Sequence, residues 1–247
     1  EAVSKEDWPN PIQAVTNSAS FKIGPISPGE LISVWGTALA KDTAAATAVP
    51  LPKELGKVRL TINAESAPLY FVSPGLINVQ VPASIPPGNF AQIDIWSNGL
   101  YSEPFEVTTS KTSAAFFRYN NEAIVTLAHG PNAGQLVNIG NPAQSPAGNS
   151  CEFCYISLWA TGLGLTNPPV PSGESPPGST LARVIASLAV EIGGKKAEIQ
   201  FAGLHPYYPG LYQINVKTPS GLNGRQTGKL IVENAEVDNF TVYTVSQ

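Results

Sequence analysis

The two cysteines have the spacing in this sequence that most directly suggests chemistry. Cys151 and Cys154 form a Cys-x-x-Cys motif, which is typical of a redox pair when a following helix lowers the pKa of one thiol. Residues 155–159 have the composition of a strand instead. We therefore expect a local structural disulfide in an oxidising compartment, which requires a turn at residues 152–153. Free or intermolecular thiols, and redox or metal chemistry, are the alternatives.

Histidine is the usual general base and a common zinc ligand, and the chain has only His129 and His205. Each is alone in its neighbourhood, and a zinc site at the cysteines would need two further ligands. The sequence has no Gly-x-Ser-x-Gly elbow, no phosphate-binding glycine motif and no aspartate-rich calcium loop. Its 18 acidic residues form no clustered set. We predict no enzymatic activity, no metal and no cofactor.

Residues 205–212 combine aromatic side chains with two prolines. Four of them are candidates for ligand binding: His205, Tyr207, Tyr208 and Tyr212. Together they could form a platform on which a sugar ring stacks, because aromatic faces are apolar while tyrosine hydroxyls stay hydrated. In the alternative interpretation, Tyr212 is a core position at the start of a strand and the other side chains cover the end of the domain.

Composition and charge exclude several classes of protein. Charged residues make up 13% of the chain, against about 25% in an average soluble domain. The net charge of −4 and the scattered basic residues leave no positive surface for nucleic acid. Apolar runs are only a few residues long, whereas a membrane-spanning helix needs about 20. Because the sequence begins at Glu1 and lacks Met, we expect an exported protein whose targeting segment has been removed.

The secondary structure predicted from the sequence, which must position any functional site, consists mainly of β-strands. Residues 58–63, 77–81 and 93–96 alternate apolar and polar side chains, as half-buried strands do. Gly, Pro and Asn separate these segments, for example at residues 73–75 and 97–99. Short strands punctuated in this way predict an all-β fold built as an antiparallel β-sandwich.

An internal repeat shows that the chain is two copies of one β module. Residues 32–40 match residues 156–164, and residues 77–82 match residues 214–219. Single apolar positions continue the match: Leu60, Ile62, Ala67, Leu69, Phe71, Phe105 and Val107 correspond to Val190, Ile192, Ala197, Ile199, Phe201, Phe240 and Val242. The fold class is therefore two tandem sandwiches.

Trp35 and Trp159 occupy the same place in the two copies. Repetition at a strand position is more typical of core packing than of a binding site. We therefore predict that both indoles lie in the cores.

The repeat divides the chain into domains at residues 14–110 and 111–247 and leaves an arm at residues 1–13. The arm is polar and has no counterpart in the second copy. Four of its residues are candidates for assembly contacts: Trp8, Pro9, Pro11 and Ile12. We predict that the arm docks on a partner surface; an ordinary chain terminus is the alternative.

Five segments together resemble a known family: residues 28–36, 67–82, 159–164, 201–204 and 210–216. They are similar to the uncharacterised Solibacter-type C-terminal domains at the ends of large secreted or surface proteins of acidobacteria and their relatives. The resemblance spans nearly all of residues 15–245. It implies immunoglobulin-like β modules, an extracellular location and no assigned enzymatic activity. The cysteine pair and the N-terminal arm are not part of that pattern.

These observations predict a non-catalytic, secreted structural protein of the bacterial cell surface. With only 32 charged side chains, the edges of two β modules are weakly protected against self-association. We expect self-assembly into a surface filament or layer through strand edges and the arm. The alternative is an adhesion module that binds a cell-surface polysaccharide or protein through loops at the sandwich ends.

Overall fold

The computed structural model of the chain describes residues 11–145, 154–177 and 180–246. Regular structure in these residues is entirely β, which confirms the predicted fold class of tandem immunoglobulin-like sandwiches. The described residues contain no helix with the length and apolar composition to cross a membrane. Separate apolar cores fill the two modules.

The first module packs two antiparallel sheets face to face. Its strands are β1 (Ile12–Asn17), β2 (Leu31–Gly36), β3 (Ala44–Ala45), β4 (Val58–Ile62), β5 (Glu65–Ser66), β6 (Leu69–Val72), β7 (Leu76–Gln80), β8 (Phe90–Ser97), β9 (Leu100–Tyr101) and β10 (Phe105–Thr108). One sheet has the order β1-β2-β7-β6-β3, and the other has the order β10-β8-β4-β5, with β9 beside β8.

The second module repeats this plan with additional short strands. They are β11 (Ala115–Phe116), β12 (Arg118–Tyr119), β13 (Glu122–Ala123), β14 (Val125–Leu127), β15 (Ala143–Ser145), β16 (Tyr155–Thr161), β17 (Thr166–Asn167), β18 (Arg183–Val184), β19 (Leu188–Ile192), β20 (Lys195–Leu204), β21 (Tyr212–Lys217), β22 (Gly224–Val232) and β23 (Ala235–Ser246). Their order is β11-β16-β21-β20-β19-β22-β23-β15, and β14 also pairs with β16.

Strand registers agree between the modules, residue by residue. Ile32 pairs with Val79 in the first module, and the matching residues Ile156 and Val216 pair in the second. The same bulge interrupts β6 against β7 and β20 against β21. The repeat found in the sequence therefore corresponds to a repeat in hydrogen-bonding register.

One strand differs because of a single proline. In the second module β20 is continuous and joins both sheets, whereas β5 and β6 are separate strands in the first. Pro68 lies between β5 and β6 at the position equivalent to Glu198. Since proline has no N–H to donate to a ladder, it ends one strand and lets the next begin in the other sheet.

Both repeated indoles lie outside the cores, which corrects the prediction for Trp35 and Trp159. Trp35 is 36% exposed, and Trp159 is half-buried. Alternation along a strand explains the error, because Val34 and Leu158 point into the cores and their neighbours must point the other way.

The N-terminal arm is shorter than predicted. Ile12 pairs with Gly36 as the first residue of β1 and is buried in the first core, and Pro11 is also buried. An apolar side chain at the sheet edge is more stable in the core than in water. Trp8 and Pro9 lie outside the described residues, so an assembly arm there stays a prediction.

Hydrogen bonds around a buried carboxyl group hold the modules together. Asn17 Nδ2 donates to Glu30 Oε1 at 2.8 Å and to the carbonyl of Ser113, in the second module, at 2.9 Å. The Leu31 N–H donates to Thr161 Oγ1 across the same junction at 2.8 Å. Burial raises the pKa of Glu30 to about 8, against the opposing effect of its hydrogen bonds.

Candidate functional site

Four aromatic side chains of the second module form one cluster at its surface. We call Trp159, His205, Tyr207 and Tyr208 the aromatic cluster. The His205 ring lies at its centre, with its centroid 5.5 Å from that of Trp159, 5.7 Å from Tyr207 and 5.1 Å from Tyr208. The His205 and Tyr208 rings are inclined by only 31°.

A strand and a loop place these rings together. Trp159 projects from β16, while the other three lie in residues 205–211, which connect β20 to β21. The His205 N–H donates to the carbonyl of Leu211 at 2.8 Å, and the Leu211 N–H donates to that of Tyr208 at 3.2 Å. These bonds close the loop, and its two prolines restrict the backbone further.

The same loop is anchored to the first module through Tyr70 and to β16 of its own module through Thr161. Tyr70 donates its hydroxyl proton to the carbonyl of Pro209 at 2.7 Å, and Thr161 donates to that of Gly210 at 2.9 Å. Burial raises the pKa of Tyr70, and the nearby Tyr208 raises it further. A side chain on Gly210 would lie 2.7 Å from Leu31, so the backbone there packs directly against the first module. The cluster is therefore held from both sides.

Uncharged polar side chains lie beside the cluster on the outer face of the sheet. Trp159 donates its indole N–H to Thr126 Oγ1 at 3.1 Å. Asn215 Oδ1 accepts from Ser157 Oγ and from Gln213 Nε2, each at 2.8 Å. Gln213 is the cross-strand partner of Trp159, so an amide borders the indole ring. This face thus combines rings with hydrogen-bonding groups that carry no charge.

The surroundings of His205 favour the uncharged form of its imidazole. Partial burial lowers its pKa below the ordinary value. The Tyr207 N–H lies 3.2 Å from His205 Nδ1, which accepts this hydrogen bond and leaves the proton on Nε2. The aromatic cluster therefore presents apolar faces, two phenol hydroxyls and one imidazole N–H, without a net charge.

The rings of the loop remain accessible to a ligand. Tyr207 is 73% exposed and Tyr208 is 56% exposed. Large aromatic side chains at this exposure leave apolar area in water, which a flat apolar ligand face could cover. The arrangement is suited to stacking combined with hydrogen bonding.

Three of the four predicted ligand-binding residues come together, and Tyr212 does not. Tyr212 is 1% exposed and donates its hydroxyl proton to the carbonyl of Gly164, so it belongs to the core. This corrects the inclusion of Tyr212 in a surface platform. Sequence reasoning missed Trp159, although a signal existed: it alternates with Leu158 and therefore faces outward.

Only one of the two cysteines of the predicted disulfide lies within the described residues. Cys154 is fully buried and immediately precedes β16. Cys151 lies outside the described residues. The disulfide therefore stays a prediction.

No protein-family model matches the sequence, and no curated protein matches it. The resemblance to the Solibacter-type domains accordingly stays an expectation.

Solved structures similar to this chain include three bacterial proteins. The surface glycan-binding protein SGBP-B of Bacteroides ovatus, in complex with a mixed-linkage heptasaccharide, has 12% identity and a TM-score of 0.33 over 90% of this chain and 44% of that one. The Escherichia coli adhesin FdeC has 9% identity and a TM-score of 0.27, and the match covers 94% of this chain and 63% of FdeC. Domains 5–6 of the S-layer protein SbsC have 11% identity and a TM-score of 0.23, and the match covers 95% of this chain and 96% of that structure. The chain spans less than half the length of the glycan-binding protein, and likeness at these identities concerns the fold.

Proposed function

We propose that the chain is a non-catalytic saccharide-binding module of an extracellular bacterial protein, with the aromatic cluster as its binding surface. The observation that carries the proposal is the exposed, loop-anchored group of rings around His205, beside a row of uncharged hydrogen-bonding side chains. Binding here requires no chemical conversion of the ligand. A secreted location agrees with this role, because polysaccharides are abundant at cell surfaces.

Saccharides match both halves of this surface. One face of a pyranose ring exposes C–H groups and packs on an aromatic ring, while its hydroxyls need donors and acceptors at the rim. Tyr207 and Tyr208 supply ring faces, and Gln213 supplies an amide. A purely apolar partner would leave that amide without compensation for its lost hydration.

The neutral state of the site indicates the class of saccharide. The aromatic cluster contains no Lys, Arg, Asp or Glu side chain, and burial lowers the pKa of His205, which favours the uncharged imidazole. An acidic polysaccharide would gain no ion pair from the cluster. We therefore expect neutral polysaccharides to bind, with little dependence on salt.

Affinity gel electrophoresis against a panel of soluble neutral and acidic polysaccharides tests the proposal. Neutral polymers should retard the native chain, and the Tyr207→Ala/Tyr208→Ala variant should lose at least about tenfold in affinity. Tyr101→Ala is the matched control, since Tyr101 is 75% exposed but lies on β9 of the first module. Equal mobility of the native chain in every gel, or unchanged retardation of the double variant, would contradict the proposal.

Self-assembly stays a separate prediction. It depends on Trp8 and Pro9, which lie outside the described residues, and on the sheet edges. Strands β1 and β10 lie at the ends of the two sheets of the first module. Light scattering over a range of concentrations tests this prediction, and monomers throughout would contradict it.

A further inference from the structure

We propose that the first module carries a second saccharide-binding surface, formed by Phe21, Ile23 and Trp35. We call these three residues the Phe21 patch. The chemical class of the ligand, a neutral pyranose, rests on the proposed function of the aromatic cluster. The residues of the patch are distinct from that cluster, and the two surfaces can be tested separately.

The two surfaces share the hydrogen bonds that fix the indole and the neighbouring Ser–Asn pair. Trp35 is the repeat equivalent of Trp159, and its indole N–H donates to Thr16 Oγ1 at 2.9 Å. Ser33 Oγ donates to Asn78 Oδ1 at 2.9 Å, as the equivalent Ser157 does to Asn215 in the second module. The first module therefore fixes an outward-facing indole in the same way, beside an equivalent Ser–Asn pair. Leu76 is the cross-strand partner of Trp35, where Gln213 is the partner of Trp159.

Phe21 is an exposed ring on a constrained backbone. It is 63% exposed, and its φ of 56° lies in the left-handed region, which disfavours bulky side chains. Its ring meets that of Trp35 edge-on, with 6.4 Å between centroids. Glycine or asparagine would adopt this backbone conformation with less strain, and a polar side chain would be better solvated at this exposure. Such a conformation, held at the surface, is a feature of functional sites.

The turn that carries Phe21 is rigid. Asn17 Oδ1 accepts from the N–H groups of Ala19 at 2.8 Å and Ser20 at 3.1 Å, and the Phe21 N–H donates to the Asn17 carbonyl at 2.9 Å. Asn17 is itself held by Glu30 at the module junction. The ring is thus presented by a preorganised turn, which lowers the entropy cost of binding.

A pyranose is the occupant that fits the whole patch. Ile23, which forms a β-bridge with Thr16, is 77% exposed and extends the apolar area. The half-buried Ser18 places its Oγ 2.9 Å from that of the buried Ser33. The patch has two rings where the aromatic cluster has four, so its affinity for a single chain of sugars should be lower. On a polysaccharide, two surfaces in one chain add avidity.

Fluorine-19 NMR of protein labelled with 5-fluorotryptophan tests the two surfaces together. In a Trp8→Phe background the labelled indoles are Trp35, Trp96 and Trp159, assigned by single Trp→Phe substitutions. Trp96 is the internal reference, because the Arg59 guanidinium lies over its ring at 4.8 Å. The probes are cellohexaose, xylohexaose and mannohexaose, each titrated separately.

We expect at least one probe to shift the Trp35 and Trp159 resonances to saturation, with the weaker curve at Trp35. A shift of Trp159 with no shift of Trp35 overturns the second surface and supports the proposed function. A shift of Trp35 alone supports the Phe21 patch and counts against the aromatic cluster. If neither resonance moves with any probe, both proposals are wrong.

A matched pair of variants localises the effect. Phe21→Ala should raise the dissociation constant measured at Trp35 by about tenfold and leave the dissociation constant measured at Trp159 unchanged. Phe90→Ala is the control, since Phe90 is 65% exposed but belongs to the other sheet of the same module. An equal response to both variants would show that Phe21 makes no specific contact.

Discussion

The connection between two equivalent strands distinguishes the modules more than their cores do. Residues 73–75 join β6 to β7, whereas residues 205–211 join β20 to β21. The strands on either side keep the same register and the same bulge. Only the longer connection carries a group of aromatic rings and reaches the neighbouring module. The comparison teaches that the sandwich tolerates new surface chemistry where a loop leaves a preserved strand pair.

Exchanging the loops should give the largest effect. Replacing residues 205–211 with the short connection of residues 73–75 removes three rings of the aromatic cluster, and retardation by neutral polysaccharides should be lost. Tyr70 also loses its acceptor at Pro209, which should lower the free energy of unfolding by about 1–3 kcal/mol. Affinity electrophoresis and urea unfolding measure the two effects.

The reciprocal graft is the control for loop exchange. Inserting the long loop in place of residues 73–75 leaves the aromatic cluster intact, so binding at that cluster should persist. A shortened variant that still binds with native affinity would place the site elsewhere.

The strand pairing was predictable because the repeat preserves alternation. Ile62 pairs with Glu65, and the matching residues Ile192 and Lys195 pair in the second module. Each pair lies close in sequence, so local patterns determine it. The Trp159 side chain could also have been assigned to the outer face from the same alternation.

The candidate site was predictable only in part. His205, Tyr207 and Tyr208 are neighbours in sequence, so their composition alone indicated a surface group. The hydrogen bond from Tyr70 to Pro209 spans 139 residues and depends on how the modules pack, which no local pattern encodes. For the same reason nothing in the sequence indicated that Glu30 would be buried at the junction.

The next largest effect concerns the pH dependence of stability, to which only the first module contributes through Glu30. The repeat equivalent of Glu30 is Cys154, which has no carboxyl group. The pKa of Glu30 rises from an ordinary value of 4.5 to about 8 in the folded chain. Between these values the folded state keeps a proton that the unfolded state releases. Stability should therefore be greatest below the lower value and fall as the pH rises to about 8, by at most about 1.4 kcal/mol per pH unit.

Urea unfolding across this pH range, with Glu30→Gln as the comparison, isolates the contribution. The neutral amide should remove this part of the decline, whereas Glu65→Gln, at an exposed site, should keep it. Parallel pH profiles of the native chain and Glu30→Gln would mean that Glu30 is ionised in the fold.

A smaller effect is expected where one module has glycine and the other isoleucine. Gly228 pairs with Phe240, and the equivalent Ile93 pairs with Phe105. A Cβ on Gly228 would lie 2.1 Å from Phe240 Cζ, and that buried ring already packs against Phe116 at 5.6 Å. Gly228→Ala should therefore cost about 1–3 kcal/mol in urea unfolding. Ile93→Val should cost about 0.5–1.5 kcal/mol by loss of packing, and a neutral Gly228→Ala would contradict this description of the second core.

The smallest effects should be equal in the two modules. Trp35→Phe and Trp159→Phe each remove an indole N–H that donates to a threonine, at 2.9 Å from Thr16 and 3.1 Å from Thr126. Each should lower the free energy of unfolding by about 0.5–1.5 kcal/mol, and prior replacement of the threonine by valine should reduce the loss. A loss of stability in only one of the two variants would mean that the equivalent hydrogen bonds contribute differently to the free energy of unfolding. Equal losses would leave the loops, rather than the scaffold, as the source of any difference in binding between Trp35 and Trp159.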